Sequence, residues 1–505
     1  MTAGGGSGRE ASGAVSGLLV RVNVTRVGTL MQAAPGLDLG VKGGQMARSR
    51  LATQVAVLLV VGTSLVACSS SAKKAVAPPT TAATAASTST SAAPVALTAS
   101  FRGVTATSIK IGIVNIDYTC IKQFVSYNFG NQQAIDQVFI DDLNAHGGIL
   151  GRKIVPVFKS ICPIGNATSL AVCTSLTEDE KVFAVMGLLY DTTGDADLCV
   201  SRDHQTILNS FLPRQKFIGE APPALMVSTD ITTERLATVL FNLLKSQKTL
   251  TGKKVATLTD TSTADAVAGT VKPALESAGL AQGSAAVLTI NGSDTSAAQS
   301  QLDSFIEKWK GEGVDAVWLA GASASGKQFV EKIKAQMPSA LLLADTFPGA
   351  QQAGQDETAA GKKPNPYDGM LSATGETESE EWQNPRLQQC VKTYETGSGQ
   401  HVIGPDDLKP GPDGTRVRVW AAVRDICNEL ALFSQIAEKA GPNLTNATWR
   451  QAADTIGEIH MVDPYASIHA GKYDATDAFR LVAFDSTYGP KGDFKPLTPI
   501  QDASK

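Results

Sequence analysis

Three sets of residues in this 505-residue chain have types and spacing that do chemistry. Gly321-Ala322-Ser323-Ala324-Ser325-Gly326-Lys327-Gln328 falls one residue short of the phosphate-cradling loop G-x-x-x-x-G-K-[ST], because Gln328 stands where a magnesium-binding hydroxyl is needed. The same stretch sets Ser323 in a near nucleophile elbow, but Ser325 replaces the last glycine of G-x-S-x-G. His460 and His469 follow, with Asp463 and Asp474 beside them, in an order that suits a serine relay, so a serine hydrolase is one enzymatic reading. Cysteine is the third set. No CxxC or Cys/His cluster exists and the chain has five His, so no metal centre and no cofactor are expected.

Stepping along the chain, Met46–Ser69 supplies an address. Arg48 and Arg50 open it, an apolar run follows, and Leu65-Val66-Ala67-Cys68 closes it as a small-residue cleavage site with a cysteine after the cut. This is similar to a bacterial lipoprotein signal over residues 46–67, in which Cys68 is acylated and becomes the first mature residue. A transmembrane anchor is the alternative. Leu51–Ala67 includes Gln54 and is shorter than the roughly 20 apolar residues a span needs. Residues 1–45 precede a complete signal and are expected to be a mis-assigned extension, with a cytoplasmic extension as the alternative. Residues 68–104 are mostly Ser, Ala, Thr, Pro and Val and read as a lipidated, disordered tether.

About 400 residues remain, too many for one core, so two domains are expected. The 44 basic and 48 acidic side chains form no basic stripe, which excludes nucleic acid as a partner. Outside Cys68 there are six cysteines, Cys120, Cys162, Cys173, Cys199, Cys390 and Cys427, an even number that outside the cytoplasm implies three disulfides among 15 possible pairings.

The elements that must position these residues alternate. The spacing predicts strands at Ile109–Ile116, Lys153–Phe158, Val182–Met186 and Thr206–Asn209, with helices between them. A second series follows the helix Thr232–Lys245, with strands at Lys254–Leu258, Ala285–Ile290, Val314–Leu319 and Ala340–Ala344. Such repeats imply α/β lobes with parallel sheets flanked by helices. After Asp345 a Gly-, Pro- and charge-rich stretch runs to about Pro366, Tyr367–Thr374 reads as a returning strand, and Val419–Ala437 carries the longest helical pattern.

Asn144-Ala145-His146-Gly147-Gly148-Ile149-Leu150-Gly151-Arg152-Lys153-Ile154 joins a helix to a strand as N-x-x-GGI-x-GR-x-I. Together with Glu178–Gly187, Gly313–Leu319 and Ala437–Thr445 it resembles the leucine/isoleucine/valine-binding family of type I periplasmic binding proteins, the extracytoplasmic solute receptors of ABC importers. The resemblance covers about Thr107–Phe484. It implies two Rossmann-like lobes, 105–230 plus about 366–455 and 231–365 plus about 456–500, joined by strand crossovers that act as a hinge. It further implies a non-enzymatic, monomeric receptor that sits outside the cell membrane on its lipid anchor and serves ABC permease subunits. A sensor of the same fold without transport is the other reading.

In open parallel sheets ligands sit beyond the carboxyl ends of the strands. On that rule the candidate ligand-binding residues are Tyr118, Tyr190, Thr192 and Ser210 of the first lobe and Thr261, Ser323 and Asp345 of the second. Leu188–Thr193 replaces the serine-rich loop of amino-acid receptors, and Thr261–Gly269 lacks the usual tyrosine-glycine. The ligand class is therefore wider: an amino acid, an amide, a polyol or a small aromatic acid. With the family strand order 2-1-3-4-5, the implied disulfides are Cys120–Cys162, Cys173–Cys199 and Cys390–Cys427.

Overall fold

The structure is a computed structural model. It describes residues 96–504, apart from 123–124, 164–165, 188, 190–192, 211–213, 262, 290–295, 322–325 and 345–346. The signal, the tether and Cys68 therefore lie outside the described residues.

Five strands build the first sheet: β1 (Ser108–Ile116), β2 (Lys153–Ile161), β3 (Ala184–Gly187), β4 (Ile207–Ser210) and β5 (Met226–Ser228). They are all parallel, in the order β2-β1-β3-β4-β5, which is the 2-1-3-4-5 order the resemblance implied. The family-like motif does structural work here. Asn144 bonds both ways with the Ile154 backbone, at 2.9 and 2.7 Å, and so ties the end of helix α1 (Gln132–Ala145) to β2. Arg152 is fully buried and donates to the Thr105, Thr98 and Pro442 carbonyls, stapling the start of the described chain and the end of a distant helix to the same corner.

The second sheet contains β6 (Lys254–Asp260), β7 (Ala281–Leu288), β8 (Ala316–Leu319), β9 (Leu341–Ala344), β10 (Leu371–Thr374), β11 (Ala478–Asp485) and β12 (Asp493–Pro496). Its order is β12-β11-β10-β9-β8-β6-β7, parallel except where β11 pairs with β10 and β12. Successive residues of a strand point to opposite faces, and both faces are covered. Val317, Leu319, Leu342 and Ala344 pack into one apolar cluster, while Ala316, Trp318, Ala320 and Leu343 pack into another. This double burial explains the near-continuous apolar runs of these strands.

The chain passes between lobes three times: after Ser228, after Thr374 and before Ala478. The first and third passages run side by side, with Ser228 and Asp474 bridged, Ser228 N–H donating to Tyr473 O at 2.9 Å and Ala475 N–H to Ser228 O at 2.8 Å.

Two boundaries differ from expectation. Leu371–Thr374, expected in the first lobe, pairs with β9 and β11 of the second sheet. Residues 456–475, expected in the second lobe, send Ile459, Met461, Ile468, Tyr473 and Ala475 into the first core. The last crossover thus falls near residue 476, because the backbone beside β5 is completed by the returning chain. The stretch read as irregular after Asp345 contains a helix, Phe347–Ala359. Its small residues let it lie close: Ala350 is fully buried, and a side chain at Gly354 would meet the Phe484 ring at 2.5 Å. Composition signalled a loop there, and packing overrides it.

The structure carries Cys120–Cys162, Cys173–Cys199 and Cys390–Cys427 as bonded pairs, with Cα separations of 6.0, 6.3 and 6.2 Å. Among the described residues no helix is long and apolar enough to cross a membrane.

Candidate functional site

Carboxyl ends of the first-sheet strands gather the expected and the unexpected site residues. Tyr118, just beyond β1, is half-buried and packs its ring 5.4 Å from Phe129 and 5.9 Å from Tyr127. Tyr127–Asn128 is itself held by pairing with Arg416–Val417, so a returning segment of chain fixes this aromatic wall. The Arg418 guanidinium lies over the Tyr127 ring at 5.5 Å and the Trp420 ring at 5.2 Å, and pairs with Glu378. Burial pushes the hydroxyls of Tyr118 and Tyr127 upward, so both are neutral donors at physiological pH. An open recess of about 680 Å³ borders this wall and includes Asn115, Asp117, Tyr118, Tyr127, Asn131 and Lys159.

Helix α2 (Val419–Ala440) begins at this wall. Its apolar positions, Val423, Ile426, Leu430, Phe433 and Ala437, enter the core, and Gly441 ends it. Against that stripe stand Arg424, Asp425 and Glu429. Arg424 donates to Asp425 at 2.8 Å and to Glu381 at 2.9 Å, with side chains only 16 to 24 % exposed. Burial opposes its charge, but the two carboxylates outweigh that and hold its pKa well above the usual value. Asp136 of α1 accepts from Asn115 Nδ2 at 2.9 Å at the end of β1. Asn209, near the end of β4, donates from Nδ2 to the Glu429 backbone carbonyl at 3.2 Å. Asp230 follows β5, its N–H on Ser228 Oγ at 3.0 Å.

The region is strongly acidic. Burial raises Asp136 to about 7, with the nearby Asp425 charge adding to the effect, and raises Glu381 to about 7 against the pull of Arg424. Asp463 rises to about 6 through burial and the Asp230 charge. Glu429 rises well above its ordinary value through burial and the charges of Asp136, Asp425 and Asp230.

Of the other expected residues, Ser210 is buried at the end of β4, opposite Ser228. Thr261 is exposed at the end of β6, with its N–H on Leu288 O at 3.1 Å. Nearby, Thr259 and Thr263 hydroxyls meet at 2.6 Å, and a side chain at Gly321 would strike Thr263 Oγ1 at 2.8 Å, so β6 and β8 end against each other. Tyr190, Thr192, Ser323 and Asp345 lie outside the described residues. The lobes also touch through Arg214, just beyond β4, whose Nη2 reaches Asp265 at 2.7 Å in the helix after β6.

Among the described residues the histidines and aspartates of the relay reading are not brought together. Asp474 accepts from Arg235 and the Thr232 N–H, and His469 Nδ1 faces the Ala470 carbonyl at 3.1 Å. The His460 ring lies 3.6 Å from Glu458, and neither imidazole bonds Asp463 or Asp474 among the described residues. The sequence reading missed Tyr127, Phe129, Arg418 and the α2 charges. One signal was present: Asp425 and Glu429 stand four residues apart, a like-charge pair that costs helix stability and so asks for a reason.

Comparisons with known proteins agree with this architecture. A family model described as "Periplasmic binding protein" matches residues 130–461, about two thirds of the chain. A search of curated proteins found no match. A solute binding protein of an ABC transporter from Rhodopseudomonas palustris BisB5, in complex with 3,4-dihydroxy benzoic acid, aligns at TM-score 0.54 and 14% identity over 79% of this chain and 98% of its own. A periplasmic binding protein from Burkholderia mallei aligns at TM-score 0.55 and 13% identity over 79% and 96%. An ABC transporter substrate-binding protein from Desulfitobacterium hafniense, in complex with Leu, aligns at TM-score 0.50 and 16% identity over 77% and 99%. With two sheets joined by chain crossovers and this family match, the chain belongs to the periplasmic binding protein family.

Proposed function

We propose that this protein is an extracytoplasmic solute receptor that closes its lobes on a small polar ligand, an amino acid, amide or related compound, and delivers it to the permease subunits of an ABC importer. In this reading lipid on Cys68 anchors a monomer to the outer face of the cell membrane, and no reaction is catalysed. The observation that carries the reading is the convergence of an aromatic wall and buried charges on the carboxyl ends of a parallel sheet, where strand crossovers lead to a second sheet. Aromatic rings give contact area, hydroxyls and carboxylates set orientation, and the ligand gains both lobes only on closure. Two solved neighbours are complexes with small molecules, 3,4-dihydroxy benzoic acid and Leu.

The test is a thermal-shift screen of the tetherless domain against amino acids, amides, polyols and aromatic acids. A ligand at 100 times its Kd stabilises by about 2.7 kcal/mol. Tyr190→Ala and Asp345→Ala are each expected to weaken binding of the compound found by about tenfold while leaving the empty protein's Tm nearly unchanged. Normal binding by both variants would place the site elsewhere. Cys68→Ser is expected to release the protein from membranes or leave it unprocessed; unchanged retention would refute the anchor.

A further inference from the structure

Residues 399–418 leave the first lobe after the helix Pro385–Ser398 and return to it at the start of α2. Both ends are fixed there. Val402 is buried in the first core, and Arg416–Val417 pairs with Tyr127–Asn128 of the aromatic wall. Between these ends the segment meets the second lobe. Lys491, in the turn between β11 and β12, donates from Nζ to the Pro405 and Leu408 carbonyls at 2.8 and 3.4 Å. Arg416 Nη1 reaches Asp356 at 3.3 Å on the helix Phe347–Ala359. Asp406 accepts from Ser379 Oγ at 2.7 Å, on the second passage between lobes.

The segment is seated rather than loose. Leu408 is buried, the Arg416 side chain is 16 % exposed, and the carboxylates of Asp406, Glu378 and Asp407 favour the charge of half-buried Lys491. Because both ends belong to one lobe, the segment restrains the other only through Lys491 and Asp356. Opening about the crossovers carries β12 and the helix Phe347–Ala359 away from the first lobe, so these two bonds must part or pull the segment along. The attachment lies at the β12 edge of the second sheet, whereas the Arg214–Asp265 contact lies beside β6, toward the other edge. We propose that residues 402–416 form a strap that limits how far the lobes open, held to the second lobe by Lys491 and Asp356. Its Arg416 end pairs with Tyr127, so the strap ties the extent of opening to the aromatic wall.

The experiment is single-molecule energy transfer in the full-length, ligand-free chain, with dyes on unnatural residues at positions 392 and 308, which are exposed on helices of the first and second lobe. The double variant Lys491→Met, Asp356→Ala is expected to populate long interlobe distances at least twice as often as wild type, with an unchanged urea midpoint. A distance distribution equal to that of wild type would overturn the strap. A second measurement needs no folded double variant. Sodium chloride at 1 M shortens the screening length to about 3 Å, and is expected to widen the wild-type distribution more than that of Asp356→Ala alone. No widening in wild type, or equal widening in both, would also overturn it. Since no ligand is used, either failure leaves the solute-receptor reading standing.

Discussion

Arg235 Nε donates to Asp474 Oδ2 at 2.8 Å, and this bond ties the first helix of the second lobe to the strand by which the chain leaves the first lobe for the last time. The same guanidinium donates to Asp477 at 2.9 Å, and the Thr232 N–H also reaches Asp474. Both carboxylates are almost fully buried, at 2 and 1 %. Two of the three passages between lobes are therefore clamped by one side chain.

Removing that side chain leaves Asp474 the Thr232 N–H as its hydrogen-bond donor and takes away its close cation. Lys472 stays 3.1 Å from Asp477 and partly serves it, but is 3.8 Å from Asp474. Breaking a buried pair by deleting one partner typically costs about 3–5 kcal/mol. Arg235→Ala is expected to lower unfolding stability by about 3 kcal/mol in a urea titration, with Arg235→Lys losing less. Wild-type stability in Arg235→Ala would mean the crossover is held by its backbone bonds alone.

The Cys390–Cys427 bond joins the helix Pro385–Ser398 to α2 across a sequence separation of 37 residues. Closing a loop of that length restricts the unfolded chain, an effect of about 4 kcal/mol in the chain-entropy account. The double variant Cys390→Ser, Cys427→Ser is expected to unfold at correspondingly lower urea, and a reductant is expected to have less effect on it than on wild type. Unchanged midpoints would show that core packing around Leu387 and Val423 suffices.

What the sequence disclosed follows from the range of each interaction. The strand-helix alternation, including the order around β1, was legible because each element's apolar period is a local property. Phe347–Ala359 was not, because its stability comes from Ala350 and Gly354 meeting Phe484, far away in sequence. The lobe membership of Leu371–Thr374 was hidden for a similar reason: a short buried strand reads alike in either sheet. At the site, Tyr118 could be placed from the end of β1, whereas the bonds of Asn115 to Asp136 and of Asn209 to the Glu429 backbone form only through tertiary packing.

Stability is expected to fall as pH rises. Asp136 is 5 % exposed, and burial raises its pKa from 3.8 to about 7. The folded protein therefore holds a proton that the unfolded chain releases. Its favourable contribution is complete below pH 3.8 and is lost as pH climbs through about 7. Asp463 and Glu381, raised to about 6 and about 7, act in the same direction. The ligand-free protein is expected to melt a few degrees lower at pH 8 than at pH 5. Asp136→Asn is expected to flatten that slope in a melting series; an unchanged slope would assign the titration to other groups.

Gly187 closes β3 where the residues leading to Tyr190 and Thr192 begin, opposite Val114 of β1. Its φ is +98°, and a side chain there would stand 2.3 Å from the Val114 carbonyl oxygen. Gly147 offers a matched control: its φ is +102°, but nothing lies within 4 Å of its missing Cβ. The left-handed backbone alone costs a non-glycine residue roughly 1–2 kcal/mol. Gly147→Ala is therefore expected to lose about 1 kcal/mol. Gly187→Ala adds a backbone clash that no rotamer relieves, and is expected to lose about 3 kcal/mol or more, since β1 and β3 must part. Parting them displaces the strand end from which the expected ligand contacts project, so Gly187→Ala should also weaken ligand binding, whereas Gly147→Ala should not. Equal losses of stability in the two variants would mean that the strand pair yields without strain and that the turn geometry alone requires glycine.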